Sequence, residues 1–488
     1  MKTKFKLLGL LAMAAVVLTG CSKDSDGVDV KKGNGKRSVT LQIVQPTTKA
    51  PVDELAPITD ESTLQTNLLV YAFDVATQTC EVEGQSITLS SGTATTDVTV
   101  TVGPERFYVF SVNANIKNQM DVAVAALKAA GTLNIANFEK IAIESGLLLA
   151  TGEDLPIDIA ASAASTGFMI GSSWGETVNI PEDDEKDDDD NDPVDLTVTI
   201  GRAAARIKLT SIAWAGSATN SELQGAFLVS DITYPPTYRI GAVPYDFHLV
   251  GQYTGTKLPS YISSEDNQGV EVTSLVHDAA WNNGTSGTWN TAIFRPNTSY
   301  AFKPINATAL TMGNFFYAVE NTTNSLTSSS ENNLRYGNTT FMQVKVKYAP
   351  VAAEIINTTT FLADGTLSAI GSSLTGSTFY TGVVAGKRYI FDADPTSQYL
   401  DANTDVNTYT DGWNYYKFPI MDNDETKPIC IYRVLRNFYY NVSISDISDL
   451  GSPVEEVDPE EPIDREFNVR LSIEIAPWSV VEQPGVIL

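Results

Sequence analysis

The sequence predicts an all-β protein made of two sandwich domains. Strand-length segments recur along the chain between clusters of Gly, Asn, Pro and Ser, the pattern of short strands joined by turns. Several of them alternate apolar and polar residues, as in Val98, Val100 and Val102 or Phe467, Val469, Leu471, Ile473 and Ile475, so each has one face to bury. Thr, Ser, Val, Ile and Tyr are abundant and suit pleated, half-buried surface. The 488 residues suffice for two or three cores, and no solenoid or propeller period is visible.

In chain order, residues 1–20 are a signal peptide. Lys2, Lys4 and Lys6 precede an apolar run from Leu7 to Val17, and Leu18-Thr19-Gly20-Cys21 sets small residues before a cysteine. This is a lipobox, with cleavage between Gly20 and Cys21 and lipid on Cys21. The run is too short to span a bilayer comfortably, and no later run is long enough, so the remainder is expected to be extracytoplasmic and soluble. Residues 21–49 form a propeptide: a polar tether, an alternating strand from Val39 to Val44, and a turn-prone end at Lys49.

Residues 50–194 read as the N-terminal sandwich, with strands at Leu68–Phe73, Thr95–Val102 and Arg106–Val112. Helix formers from Ile116 to Ala130 stop at Gly131, and a second helix is expected over Ile135–Glu144. Both would cover one side of that sandwich. The acidic run Pro181–Pro193 repels itself and lacks apolar anchors, which sets a domain boundary near residue 195. Residues 195–451 read as the C-terminal sandwich, with Phe341–Tyr348, Arg388–Asp392 and Phe438–Ser445 its clearest strands. Residues 452–488 read as an acidic, proline-bearing linker and a terminal strand.

Composition removes whole classes of function. Acidic residues outnumber basic ones by 59 to 32, a net charge of −27. Nucleic acid and anionic membranes are thereby poor partners. Residues 1–49 carry nine Lys or Arg against three Asp, so a chain starting at Ala50 is more acidic still. Beyond Cys21 there are only Cys80 and Cys430, read as buried free thiols with a disulfide left open. His248 and His277 are the only histidines and both fall in strand-like segments, so no catalytic residue, metal or cofactor is expected. Asp401–Asn407 places oxygens at alternate positions, but Val406 stands where a calcium loop needs glycine and no Glu closes it. It reads as a polar loop.

The lipobox, Thr47-Thr48-Lys49-Ala50, Arg202-Ala-Ala-Ala-Arg206, the strand Tyr432–Ile444 with its Arg436-Asn437-x-Tyr439-Tyr440, and the closing Leu471–Trp478 together resemble the fimbrillin family of Bacteroidota, the type V pilins. The resemblance spans the chain and is greatest to shaft subunits of the short, or minor, fimbriae of Porphyromonas. It implies two transthyretin-like β-sandwich domains, with a small helical insertion in the first and a C-terminal donor strand.

It further implies a lipoprotein precursor anchored at the outer membrane and matured by a trypsin-like protease at Lys49–Ala50. The strand Val39–Val44 is then lost, and the slot is refilled by the next subunit's donor within Phe467–Leu488, inserting Phe467, Val469, Leu471, Ile473 and Ile475. Lys49 stands where the family's characterised member has Arg, which implies a Lys-tolerant protease. The implied partners are identical subunits, accessory tip and anchor subunits, the maturation protease, and host or bacterial surface receptors, in a surface fimbrium serving adhesion and biofilm formation. Periodicity alone allows both terminal strands to be ordinary edge strands. A second reading is a tip adhesin or surface glycan-binding lipoprotein, using Trp281, Trp289 and the Asn-, Thr- and Ser-rich stretch from Asn282 to Asn338.

Overall fold

The computed structural model describes residues 35–44, 67–88, 93–112, 114–144, 171–172, 177–182, 193–212, 218–219, 226–228, 235–248, 250, 294–305, 315–319, 321–322, 335–374, 378–420, 433–434, 436, 438–447, 449–463 and 469–477. Among them, no helix is long and apolar enough to cross a membrane.

In the N-terminal half, alternating β1 (Lys36–Val44) is followed by β2 (Asn67–Asp74), whose continuous apolar run suits a strand covered on both faces. β3 (Cys80–Thr88), β4 (Thr93–Thr101) and β5 (Gly103–Ser111) come next. β3 and β5 flank β2, both antiparallel. Leu68, Val70 and Ala72 join Phe107 and Val109 inside the sandwich. Leu69, Tyr71 and Phe73 join Tyr108 and Phe110 on the opposite face. Helix α1 (Ala114–Ala129) covers that second face with Ile116, Met120 and Val124, one residue per turn. Gly131, in the left-handed region at φ 68°, follows its end.

The second helix is shorter than its sequence suggests. It covers only Ile135–Phe138, and Ala142–Glu144 is instead a strand paired with Asp246–His248. A partner more than a hundred positions away decides that conformation, and local propensity cannot register it. Phe138 inserts among Tyr71, Phe73 and Tyr108 with ring centroids 4.8, 4.9 and 5.1 Å apart.

β6 (Val194–Thr199) returns to the N-terminal half and lies parallel to β1, and Gly201–Arg202 pairs with Gly171–Ser172. The strand pairing of the N-terminal half therefore continues through Arg202, past the boundary expected near residue 195. The acidic run precedes a strand that the N-terminal sheet still requires. The layers are β4-β1-β6 and a larger sheet containing β5-β2-β3.

The C-terminal half contains β7 (Ala205–Ile212), β8 (Thr237–Gly241), β9 (Phe316–Ala318), β10 (Phe341–Lys347), β11 (Phe379–Val384), β12 (Lys387–Phe391), β13 (Trp413–Pro419), β14 (Phe438–Ile447) and β15 (Val469–Pro477). One four-stranded sheet runs β9-β7-β14-β15, and a second contains β8-β10-β13. Ile207, Leu209, Tyr440 and Val442 of the first share a core with Tyr238, Ile240, Val344 and Phe418 of the second. That core is continuous with the α1-covered face of β2 and β5, so the two halves are joined by packing as well as by chain.

Candidate functional site

β1 is a central strand. It is antiparallel to β4 from Lys36 opposite Thr101 to Val44 opposite Thr93, and parallel to β6 from Val39 opposite Val194 to Val44 opposite Thr199. Its alternation sends Val39, Leu41 and Ile43 inward, each 0% exposed. They lie among Ala94, Val98 and Val100 of β4, Leu196 and Val198 of β6, and the facing sheet. On the outer face Thr40 Oγ1 donates to the Asp97 carboxylate at 2.6 Å. At the leading end Arg37 Nη1 donates to the carbonyls of Pro181 and Glu182 at 3.3 and 3.1 Å.

Withdrawing a central strand differs from peeling off an edge. β4 and β6 would each present a row of unpaired backbone groups facing a slot one strand wide, with an apolar floor. Such a slot accepts an extended segment that places small or branched apolar residues at alternate positions. Arg37 is basic like Lys49 but lies within β1, opposite Val100. A protease reaches it only after β1 has left the sheet.

At the other end of the chain, β15 pairs antiparallel with β14, from Val469 opposite Ile447 to Pro477 opposite Phe438. Among the described residues it forms the edge of its sheet. The preceding segment is docked, contrary to the linker that its acid and proline content suggests. Tyr415 and Ser452 exchange backbone hydrogen bonds of 2.9 and 2.8 Å, and Gly337 N donates to the Pro459 carbonyl at 3.0 Å. Buried Arg239 pairs with Glu455 at 2.9 Å, and Val457 packs with Ala242, Tyr336 and Phe341. Residues 451–463 are thus a strap across β10 and β13, and carbonyl and side-chain bonds stand where free chain was expected.

Gly20, Cys21, Lys49, Ala50 and Phe467 lie outside the described residues, as do Trp281, Trp289, His277 and Cys430. Val469, Leu471, Ile473 and Ile475 lie on β15. His248 ends a short strand, and its carbonyl accepts from Arg436 Nη2 at 2.6 Å. Cys80 is a half-buried free thiol whose pKa is pushed up to about 12 by burial and then by Glu83. The Asp401 carboxylate accepts from the N–H groups of Ala385 and Gly386 at 2.7 Å each, so it braces the turn between β11 and β12.

Residues 407–484 match the family described as "Major fimbrial subunit protein type IV, Fimbrillin, C-terminal". The match takes in β13, β14, the strap and β15. No curated protein sequence matches the chain. Among solved structures, a protein assigned to cell adhesion from Parabacteroides distasonis is 18% identical over 91% of this chain and 99% of its own, with a TM-score of 0.45. The fimbrilin FimA of Porphyromonas gingivalis W83 is 15% identical over 92% and 99%, at 0.44. The tip fimbrial protein Mfa3 of Porphyromonas gingivalis, C-terminally truncated, is 13% identical over 89% and 99%, at 0.35.

Proposed function

We propose that this chain is a structural subunit of a cell-surface fimbrium, exported as a lipid-anchored precursor and polymerised by strand exchange. The observation that carries the reading is the central place of β1, whose three inward side chains fill a slot between two strands. In this reading Cys21 bears the lipid after cleavage at Gly20–Cys21, a protease cuts at Lys49–Ala50, and β1 departs with the propeptide. A donor within Phe467–Leu488 of another copy then fills the slot. Identical subunits are the principal partners, with tip and anchor subunits and surface receptors beyond them.

The donor itself has two candidates. Phe467, Val469, Leu471, Ile473 and Ile475 have the required alternation, but using them means stripping β15 from β14 along its whole ladder. That pairing favours the next segment, Val480–Leu488, as donor, with β15 kept in its own subunit. Intact-mass and N-terminal analysis of subunits sheared from native cells tests the whole reading. Mature subunits should begin at Ala50, and Lys49→Ala should leave a lipidated monomer. Assembled subunits beginning at Ser38 would retain most of β1 and overturn strand replacement.

A further inference from the structure

The N-terminal sandwich also holds three carboxylates that strand exchange does not use. Asp74 at the end of β2, Glu81 near the start of β3 and Glu105 near the start of β5 each bring an oxygen within 4.8 Å of the other two. Asp74 and Glu105 are directly opposite in the β2–β5 ladder, so their side chains leave the same face. Asp74 Oδ1 accepts from the N–H groups of Ala76 and Thr77 at 2.7 and 3.0 Å. Glu81 accepts from both the N–H and the hydroxyl of Thr101. Two of the carboxylates are thereby fixed in place.

Glu105 is different. It is 1% exposed, and its Oε2 has no hydrogen-bond partner. A buried carboxylate oxygen left unpaired is costly, and two more carboxylates against it add repulsion. A hard cation relieves both. We propose that Asp74, Glu81 and Glu105 form a binding site for a divalent cation of the calcium class.

Calcium binds oxygen at about 2.3–2.6 Å, so two oxygens sharing one ion lie at most ~4.6–5.2 Å apart, a span compatible with three oxygens all within 4.8 Å of one another. Magnesium demands near-ideal octahedral geometry, keeps several of its waters and is usually held by one or two carboxylates, so a triad of three suits calcium better. The group contains no histidine or thiolate, which disfavours softer metals. Waters would complete the six to eight oxygens that calcium takes. Thr101 ends β4 and stands opposite Lys36 of β1, so through Glu81 the ion would tie β2, β3 and β5 to one wall of the slot. The site holds whether or not subunits exchange strands. Positions 74, 81 and 105 form no contiguous motif, whereas Asp401–Asn407 does and serves a turn.

The test is calcium titration of the chelator-treated full-length chain, by calorimetry and by thermal unfolding, with magnesium in parallel. Wild type should bind one calcium with a Kd of about 10⁻⁴–10⁻³ M or tighter, and its Tm should rise by a few degrees, ~2–5 °C, in millimolar calcium. Glu105→Gln and Asp74→Asn should each weaken binding at least tenfold and remove that rise, whereas Asp401→Asn should keep it. No calcium-dependent rise in wild type would overturn the proposal. A full rise in both variants would also overturn it. An equal response to magnesium would overturn the calcium assignment.

Discussion

Arg206 shows what the most recognisable residues of this chain do. Its guanidinium carbon lies 3.8 Å from the centroid of the Tyr439 ring and 5.2 Å from that of Phe315, and Arg206 stands opposite Tyr439 in the β7–β14 ladder. The stretch ending in Arg206 and the Arg436–Tyr440 stretch thus meet inside the C-terminal core. Their work is folding. Arg206→Ala should lower stability by about 2–4 kcal/mol, through the lost cation–π contact and the cavity. Arg206→Lys should not restore it, since a lysine cannot stack as a plane; urea unfolding checks both. Cys80, with its pKa pushed up to about 12, is a neutral thiol at physiological pH. Iodoacetamide at pH 8 should label it slowly in the native chain and rapidly once urea unfolds it. Glu105 gives a pH dependence. Burial, then Glu81 and Asp74, push its pKa from 4.5 up to about 8, so the folded chain retains a proton that the unfolded chain has released between those values. Stability of the cation-free chain should therefore fall from pH 5 to pH 8 and level off above. Glu105→Gln should remove that slope, as urea midpoints at three pH values would report.

At the scale of the element, β1 and the strap respond to different substitutions. Leu41→Asp places an unpaired carboxylate at a fully buried position and should unfold the precursor's N-terminal sandwich, whereas Gln42→Lys on the exposed face should leave it folded. Circular dichroism and limited proteolysis of the two precursors make the comparison. In the strap, a Cβ at Gly451 would come within 2.6 Å of the Tyr415 carbonyl oxygen. Gly451→Ala should cost about 1–3 kcal/mol and expose residues after 451 to protease. Much of this was legible in sequence. The alternation of β1, the two-face apolar run of β2 and the glycine stop after α1 are local signals of burial and chain direction. The rest was not, for a physical reason in each case. Ala142–Glu144 is a strand because Asp246–His248 lies beside it. β6 belongs to the first sandwich because β1 needs a second neighbour. The strap has the composition of a linker, and the Arg239–Glu455 pair, the packing of Val457 and the backbone bonds to Tyr415, Tyr336 and Gly337 reveal that it is fixed. Glu105 is acidic, buried and unsatisfied only because of where three separate strands converge.

At the scale of the whole molecule, the two ends of the chain play opposite parts. The N-terminal strand sits at the centre of one sheet, and the C-terminal strand at the edge of another. A centre position makes β1 hard to lose without replacement, and an edge position makes β15 the easier of the two to strip. This asymmetry yields the decisive prediction for assembly. Purified chain beginning at Ala50, with its slot empty, should melt below the precursor, because Val39, Leu41 and Ile43 no longer fill the core and two strands have lost a partner. Synthetic peptides can then be added one at a time and the Tm followed by differential scanning fluorimetry. A peptide of residues 36–44 should restore the precursor's Tm, as it is the native occupant. Of the two donor candidates, the peptide of residues 480–488 should raise the Tm, and that of residues 467–477 should do so less, since β15 keeps its place on β14. The reverse order would make β15 the donor and require its release on assembly. If the 36–44 peptide itself gave no rise, β4 and β6 would have closed on each other after cleavage, leaving no slot for any donor, and polymerisation by strand replacement would fail.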